Sequence, residues 1–330
     1  MIMYISRHYS STQHYPRLSI ANLKRKYVFL QNGDSINLRF KHYLCTMKRM
    51  IILIFLLISS MSASSTATSD EIKFEEQDKV IYHEIVGKLL SIAHYDKNEI
   101  IVKVAKEFLG TKYVAGTLEI VPEQLSISLQ RTDCILFVES CLAMTLQLSN
   151  YNKTKEIPTF EEYCDIIRSM RYRNGIVDGY SSRIHYTSEW ILQNEKAGIL
   201  QEYTSKIGNP APQLFSFMSA HPESYKQLKD NPEETRKIKE VEQRLNRETK
   251  IYTISASQIG NYSQEINDGD IICFVSTVKG LDISHVGIAY HDNGKLTFIH
   301  ASSKAGKVII EPSSLIEYTK KRHLRLLHII

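Results

Sequence analysis

A polar turn that runs directly into a long apolar stretch constrains this chain more than any other feature of its sequence. Arg131, Thr132 and Asp133 precede Cys134, and the apolar residues that follow fall on all sides of a helix. These residues are Ile135, Leu136, Val138, Leu142, Ala143 and Leu146. A helix that is apolar nearly all round is a buried one. Because Thr132 or Asp133 can accept a backbone N–H as its N-cap, the sequence predicts a core helix with Cys134 in its first turn.

A cysteine in this position has two interpretations. The free N–H groups and the positive end of the helix dipole favour a thiolate there, and the thiolate is the form that attacks carbonyl carbons. A free cysteine that is simply one more small core residue is the alternative. The remainder of the chain has to decide between these interpretations of Cys134.

The N-terminal part of the chain has the pattern of a targeting segment. A basic pair is followed by the short apolar run 51–58 and then by small residues, as in a secretory signal peptide. We therefore predict a signal peptide over residues 47–67, with Met47 as the true start, and a periplasmic or secreted protein. Residues 1–46 are then expected to be a non-native or disordered extension. A retained membrane anchor is the alternative, although the run is about half of the ~20 residues needed to span a bilayer.

The net charge of +5 comes from the predicted N-terminal extension and signal peptide. Residues 1–67 contain nine Lys and Arg and one acid, a net charge of +8, which leaves −3 for the remainder. The basic balance therefore gives no argument for a nucleic-acid partner. For the processed protein we expect a monomer with no stable membrane insertion.

The mature part, residues 69–330, is predicted to be a single α+β domain. Two helical patterns precede the Cys134 helix, and a polar, mostly helical insertion covers about residues 151–262. After the insertion come short apolar runs rich in β-formers, with a strong hairpin signal at Asn293-Gly294. The sequence therefore predicts a buried helix that carries the cysteine, packed on an antiparallel sheet of about five strands.

The hairpin relates two histidines. If Asn293-Gly294 form a two-residue turn, His285 opposes Ser302 and lies on the same face of the sheet as His300. If the turn is Asp292-Asn293, the two histidines oppose each other directly. A three-residue loop would put them on opposite faces unless a bulge restored the parity.

A shared face would complete a set of residues for thiol chemistry. A cysteine nucleophile needs a base, and the base needs a third group that fixes its tautomer. We therefore assign Cys134 as nucleophile, His285 as base and later general acid, and His300 as the orienting residue. The Cys134 N–H and the Tyr113 hydroxyl are candidate donors to an oxyanion. A zinc site that adds His291 to these three residues is the alternative, although the spacing matches no compact zinc motif.

One loop of the insertion combines hydrogen-bond donors with aromatic rings. Residues 179–190 contain Arg183, His185, two tyrosines and the only tryptophan of the chain. Such a group suits a ligand that carries carboxylates and sugar faces. A helix-capping loop in which Arg183 forms a salt bridge is the alternative.

Several motifs resemble the NlpC/P60 papain-like cysteine hydrolases, with the order of cysteine and histidines of the unpermuted branch. They are GTKY at 110–113, DC at 133–134, HVGI at 285–288 and FIHA at 298–301. Over roughly residues 98–330 the sequence is more closely similar to the DUF1460 family. The motifs for this are YVAGTLE at 113–119, DCILFVE at 133–139, SRIHY at 182–186 and HASS at 300–303.

The resemblance implies a papain-like core and a periplasmic N-acetylmuramoyl-L-alanine amidase that acts on peptidoglycan or muropeptides without a metal or an organic cofactor. It implies a Cys134, His285 and His300 triad. The positions that it implies around the substrate are Tyr113, Asp133, Arg183 and His185.

Fine specificity is left open because Ile135-Leu136 stand where many members have small polar residues. Two other functions also remain open. One is an endopeptidase that cuts within the stem peptide after D-Glu, and the other is a non-catalytic wall-binding module.

Overall fold

The computed structural model describes residues 72–320 and 322–330. All of them lie in one compact unit, Thr68–Ile330. The predicted signal peptide (47–67) and the predicted N-terminal extension (1–46) lie outside the described residues.

The helices of the described residues are mostly short, and the longest is the one that begins at Cys134. They are α1 (Glu76–Leu89), α2 (Lys97–Glu107), α3 (Cys134–Thr154), α4 (Phe160–Arg171), α5 (Thr187–Lys196), α6 (Thr204–Ile207), α7 (Phe217–Ala220), α8 (Pro232–Glu248) and α9 (Leu315–Thr319). No helix in this part of the chain combines the length and the apolar character that a membrane crossing requires.

The strands are concentrated in the C-terminal part of the chain. They are β1 (Lys112–Tyr113), β2 (Arg131–Thr132), β3 (Leu200–Glu202), β4 (Asn209–Ala211), β5 (Ile251–Ser255), β6 (Ile271–Val275), β7 (Ile283–Asp292), β8 (Lys295–Ser302), β9 (Lys307–Ile310) and β10 (His323–Ile329). Together they form one sheet in the order β2-β1-β9-β8-β7-β6-β10-β5-β4, and β3 pairs with β10. The β1–β2 pair is parallel, and the other pairs are antiparallel.

Helix α3 packs against β7 and β8 at the centre of the fold. Its Phe137 and Val138 side chains are fully buried, in the same apolar cluster as Val286 and Ile288 of β7. Burial of each such side chain stabilises the fold by about 1.5–3 kcal/mol. The packing therefore fixes α3, and with it Cys134, against the two strands that carry the histidines.

A buried ion pair ties the insertion to α3. Glu139 lies on α3, and its carboxylate accepts a hydrogen bond of 2.8 Å from Arg171 Nε at the end of α4. The indole N–H of Trp190 donates to the other oxygen at 3.2 Å. Because all three side chains are buried, they hold α4 and α5 in a defined position relative to the Cys134 helix.

The predicted α+β class is confirmed, with a sheet larger than the predicted one. The central strands β9, β8, β7, β6 and β10 are the five that the sequence predicts. Short strands at both ends extend this sheet, and three of them (β3, β4 and β5) belong to the insertion that was predicted as mostly helical. These pieces of three to five residues carry little periodicity of their own, and they become strands because sheet edges are available to pair with them.

Candidate active site

Cys134 lies at the first position of α3, as predicted, and Asp133 is the N-cap. Oδ1 of Asp133 accepts hydrogen bonds from the N–H groups of Ile135 at 3.1 Å and Leu136 at 3.0 Å. The backbone N–H of Val286, the residue after His285, is directed at the Cys134 sulfur. The thiol therefore lies beside the part of β7 that carries His285.

The electrostatics of the thiol differ from the sequence-based expectation. Burial, together with the neighbouring Asp133 carboxylate, raises the pKa of the Cys134 thiol to about 12. The helix terminus was expected to lower this pKa, and that prediction is wrong because desolvation of the thiolate outweighs the N–H groups that are directed at it. Cys134 is a neutral thiol in the resting protein, so a base has to remove its proton.

The two histidines are in contact. Strand β7 pairs with β8 through Ile288–Ile299, Tyr290–Thr297 and Asp292–Lys295. This register confirms Asn293-Gly294 as the two-residue turn, and both residues have positive φ. His285 and His300 therefore share one face, and His285 Nε2 is 2.6 Å from His300 Nδ1.

Gly287 makes this close approach possible. A Cβ atom at Gly287 would lie 2.6 Å from Cδ2 of Phe298 and 3.2 Å from Cβ of His300. The absence of a side chain at Gly287 thus allows β8 to bring His300 against β7.

A carboxylate lies on the far side of His300 from His285. His300 Nε2 lies 3.3 Å from Oε2 of Glu311, which follows β9, without the alignment of a hydrogen bond. Oε1 of Glu311 accepts the N–H of Ser313 at 3.0 Å. Sequence reasoning missed Glu311, which lies eleven residues after His300, directly after the next strand, β9. The pairing of His300 with Ile309 across β8 and β9 would have been needed to find it.

Burial keeps both imidazoles neutral. Burial and the adjacent His300 lower the pKa of His285 to about 3, and burial lowers the pKa of His300 to about 4. At neutral pH both imidazoles of the pair are therefore uncharged, which is the form that can accept a proton.

A cleft of about 920 Å³ opens beside the histidines. Its wall includes His285, His300 and the Tyr318 ring, whose centroid is 5.8 Å from that of His300. Three cations and two acids also line the cleft, together with several Ser and Thr hydroxyls; they are Lys304, Lys320, Arg322, Glu311 and Glu317. This composition suits a polar ligand that carries negative charge.

A second pocket, of about 220 Å³, contains Asp133, Arg183 and His185. Arg183 is only 4 % exposed, and its guanidinium contacts Glu119 at 2.9 Å and Glu123 at 3.2 Å. Two carboxylates of the protein therefore engage the guanidinium, and a contact between Arg183 and the substrate stays a prediction. The salt-bridge alternative describes the contacts of Arg183.

The other two predicted ligand contacts are positioned differently. Nε2 of His185 lies 2.9 Å from the carbonyl oxygen of Tyr180. Burial and the neighbouring Arg183 hold the pKa of His185 well below its ordinary value, so the ring is neutral and Nδ1 is left as an acceptor. Tyr113 is on β1 and half-buried, and burial raises the pKa of its phenol next to Cys134 and Asp133. Its hydroxyl is therefore a neutral donor close to the thiol.

His291 is separate from the histidine pair. Its Nδ1 is 2.6 Å from Asp268, whereas His285 and His300 bind each other. Among residues 72–320 and 322–330, no three His, Cys, Asp or Glu side chains are grouped as metal ligands. The zinc alternative therefore has no supporting arrangement in the described part of the chain, where the four cysteines are free thiols.

Similarity to known proteins was found with a family model and with solved structures. A family model described as N-acetylmuramoyl-L-alanine amidase-like matches residues 103–325, a region that contains every candidate residue from Tyr113 to Glu311. A crystal structure of an N-acetylmuramoyl-L-alanine amidase from Bacteroides uniformis is similar at 33 % identity, with a TM-score of 0.65. The similarity covers 71 % of this chain and 98 % of the other.

Two other solved structures share the fold. A Bacteroides fragilis protein, named provisionally as a xylanase, is 34 % identical over 68 % of this chain and 98 % of its own, with a TM-score of 0.63. A Legionella pneumophila protein of the DUF1460 family is 22 % identical over 77 % of this chain and 95 % of its own, with a TM-score of 0.58. No curated protein sequence matches the chain.

Proposed function

Because this chain belongs to the N-acetylmuramoyl-L-alanine amidase-like family, we propose that it is a cysteine amidase that cuts peptidoglycan fragments between the muramoyl lactyl group and L-alanine. We further propose an NlpC/P60 papain-like core with a Cys134, His285 and His300 triad. The observation that supports both proposals most directly is the 2.6 Å contact between the two histidines, next to the strand residue whose N–H is directed at Cys134.

In the proposed reaction, His285 acts first as a base. Its Nε2 faces His300, so Nδ1 is the nitrogen that takes the thiol proton. The sulfur of Cys134 then attacks the lactyl carbonyl carbon, and the Cys134 N–H and the Tyr113 hydroxyl donate to the oxyanion. The Tyr113 phenol keeps its hydrogen for this purpose, because burial raises its pKa.

The second half of the reaction releases the peptide and restores the thiol. Collapse of the oxyanion breaks the C–N bond, and His285 gives its proton to the departing L-alanine nitrogen. The sugar side remains as a thioester on Cys134. Water activated by His285 then hydrolyses the thioester to the lactyl carboxylate and the free thiol.

The two cavities give the substrate two different surroundings. The cleft carries Lys304 and Arg322, and no ion pair engages either of them within the described residues. The smaller pocket holds Arg183, which Glu119 and Glu123 neutralise. We therefore propose that the cleft receives the stem peptide, whose D-Glu and diaminopimelate carboxylates need cations. His185 and Asp133, which line the smaller pocket, would then face the sugar side.

Glycoside hydrolysis has less support from this site. It uses two carboxyl groups on either side of the scissile bond. Two carboxylates line the cleft, but Glu311 is turned toward His300 and Ser313 and Glu317 accepts hydrogen bonds from Ser314. A xylan bond also gives Cys134 no carbonyl to attack. An amide substrate would use Cys134, both histidines and Glu311, so we favour the amidase.

The site of action is part of the proposal. We propose that residues 47–67 direct export, that residues 69–330 act as a single catalytic domain outside the cytoplasm, and that residues 1–46 are not part of the native protein. N-terminal sequencing of natively expressed protein tests this. A first residue upstream of 47 on the exported form would contradict it.

Mass spectrometry of products from defined muropeptides tests the activity. The wild type should release an intact stem peptide headed by L-alanine, Cys134→Ala should release none, and Cys141→Ala, a change to a buried cysteine on the same helix, should remain active. A product in which the sugar keeps L-Ala–D-Glu would make the protein an endopeptidase. Turnover by Cys134→Ala would refute the thiol mechanism.

A further inference from the structure

We propose that Glu311 is a positioning residue that fixes the proton positions of both histidines. The inference rests on the proposed cysteine mechanism and adds a fourth group behind the triad. It comes from the row of contacts that runs from His285 through His300 to a carboxylate that lies away from the thiol.

The position of the carboxylate is well defined. Both side chains are held within the fold, since His300 is 1 % exposed and Glu311 is 9 % exposed. Nε2 of His300 is a buried nitrogen without an aligned hydrogen-bond partner, and Oε2 of Glu311 at 3.3 Å is the acceptor that faces it. A small rotation of the carboxylate would complete the bond.

The backbone holds Glu311 in this place. Its N–H donates to the carbonyl oxygen of Phe298 at 2.9 Å, and its own carbonyl oxygen accepts from Thr297 Oγ1 at 2.6 Å. The N–H of Ser313 donates to Oε1, so that Oε2 is the oxygen turned toward His300. These contacts attach the carboxylate to β8, the strand that carries His300.

An ionised carboxylate can only accept hydrogen bonds, and this determines where the protons are. Nε2 of His300 must carry a hydrogen to satisfy Glu311, so Nδ1 of His300 is an acceptor. Nε2 of His285 must then donate across the 2.6 Å contact. The lone pair of His285 is consequently on Nδ1, where it can take the proton of Cys134.

Without the carboxylate the opposite arrangement is equally available. His300 would donate from Nδ1 to Nε2 of His285, and Nδ1 of His285 would carry the hydrogen. A base in that tautomer cannot accept the thiol proton. Glu311 also offsets the positive charge that His285 gains in the reaction, in a setting where Arg322 opposes that charge and His300 is neutral.

The test compares Glu311→Gln with Glu242→Gln in the full protein. Glu242 on α8 is also a buried glutamate, and it accepts a hydrogen bond of 2.6 Å from Tyr186. Its variant therefore reports the general effect of neutralising a buried carboxylate. Three quantities are measured: kcat/KM on a defined muropeptide, the rate of Cys134 alkylation by iodoacetamide as a function of pH, and the ¹⁵N chemical shifts of the histidine rings.

We expect Glu311→Gln to lower kcat/KM by at least about 10-fold, mainly through kcat. The base then populates both tautomers, and the positive charge that it gains loses the carboxylate that offsets it. The alkylation profile should shift, and the ¹⁵N spectrum should show a mixture of histidine tautomers. Glu242→Gln should keep the wild-type values of all three. Melting by circular dichroism on the same samples separates these effects from unfolding.

A Glu311→Gln variant with wild-type kcat, alkylation profile and ¹⁵N shifts would overturn the inference. The alkylation and ¹⁵N measurements need no substrate. A wild type that fails to cut muropeptides would therefore count against the proposed function, whereas tautomers that do not respond to Glu311 would count against this inference alone.

Discussion

Replacement of Gly287 by alanine tests the idea that close contact between β7 and β8 creates the site. The new Cβ would lie 2.6 Å from Cδ2 of Phe298, 3.1 Å from the carbonyl oxygen of Ile299 and 3.2 Å from Cβ of His300. An ordinary carbon–carbon contact is about 3.5–4.0 Å. The Phe298 ring or the strand therefore has to move by about 1 Å.

The surroundings leave the ring little room to move. Phe298 is fully buried, and its ring centroid is 4.5 Å from that of His300, 4.8 Å from that of Tyr318 and 5.2 Å from that of Phe274. Overpacking of this kind costs about 1–3 kcal/mol of folding stability. His300 would move together with Phe298, and under the proposed mechanism a displacement of about 1 Å at His300 costs about 10²-fold in rate.

The assay measures kcat/KM on a defined muropeptide and Tm on the same samples. We expect Gly287→Ala to fold with a lower Tm and to lose about 10²-fold in kcat/KM. Gly87→Ala is the matched control, because a Cβ at that exposed position of α1 meets nothing within 4 Å. The control should be stabilised by about 0.5–1 kcal/mol. A Gly287→Ala protein with wild-type kcat/KM would refute the reasoning.

Three further predictions follow from the contacts of the site. Glu139→Gln should reduce the free energy of unfolding, measured with urea, by about 3–5 kcal/mol, because it leaves Arg171 buried without its charge partner. The control Glu161→Gln, at an exposed ion pair, should reduce it by less than about 1 kcal/mol. Burial lowers the pKa of His285 from 6.5 to about 3, so kcat/KM should hold its neutral-pH value as the pH falls below 6.5, and a midpoint near 6.5 would contradict a buried base. Arg322→Ala should raise KM for carboxylate-bearing stem peptides more than it lowers kcat. An unchanged KM would contradict the proposal that the cleft binds the stem peptide.

Local patterns in the sequence were enough to predict part of the site. The Asp133 cap, the helix that begins at Cys134 and the Asn293-Gly294 turn depend on neighbours within a few residues of each other. The structure bears out each of these. The turn also determines the register of β7 and β8, so the shared face of His285 and His300 followed from residues fifteen positions apart.

Charge and burial could not be judged in the same way. The raised pKa of Cys134 depends on how deeply packing against β7 and β8 desolvates the thiol, and a helix pattern contains no measure of that depth. The two carboxylates on Arg183 come from a segment about sixty residues earlier. The ion pairs of Arg183 therefore could not be predicted from the sequence of its own loop.

Capping, hydrophobic periodicity and turn geometry act over short stretches of chain, so the sequence alone predicts the α+β class, the position of Cys134 at a helix start and the hairpin that carries His285 and His300. Only the tertiary structure decided that Glu311 stands behind His300, that Arg183 is engaged and that short segments of the insertion extend the sheet. These features depend on contacts between residues far apart in the chain, and the folded packing alone brings such groups within a few ångströms of one another.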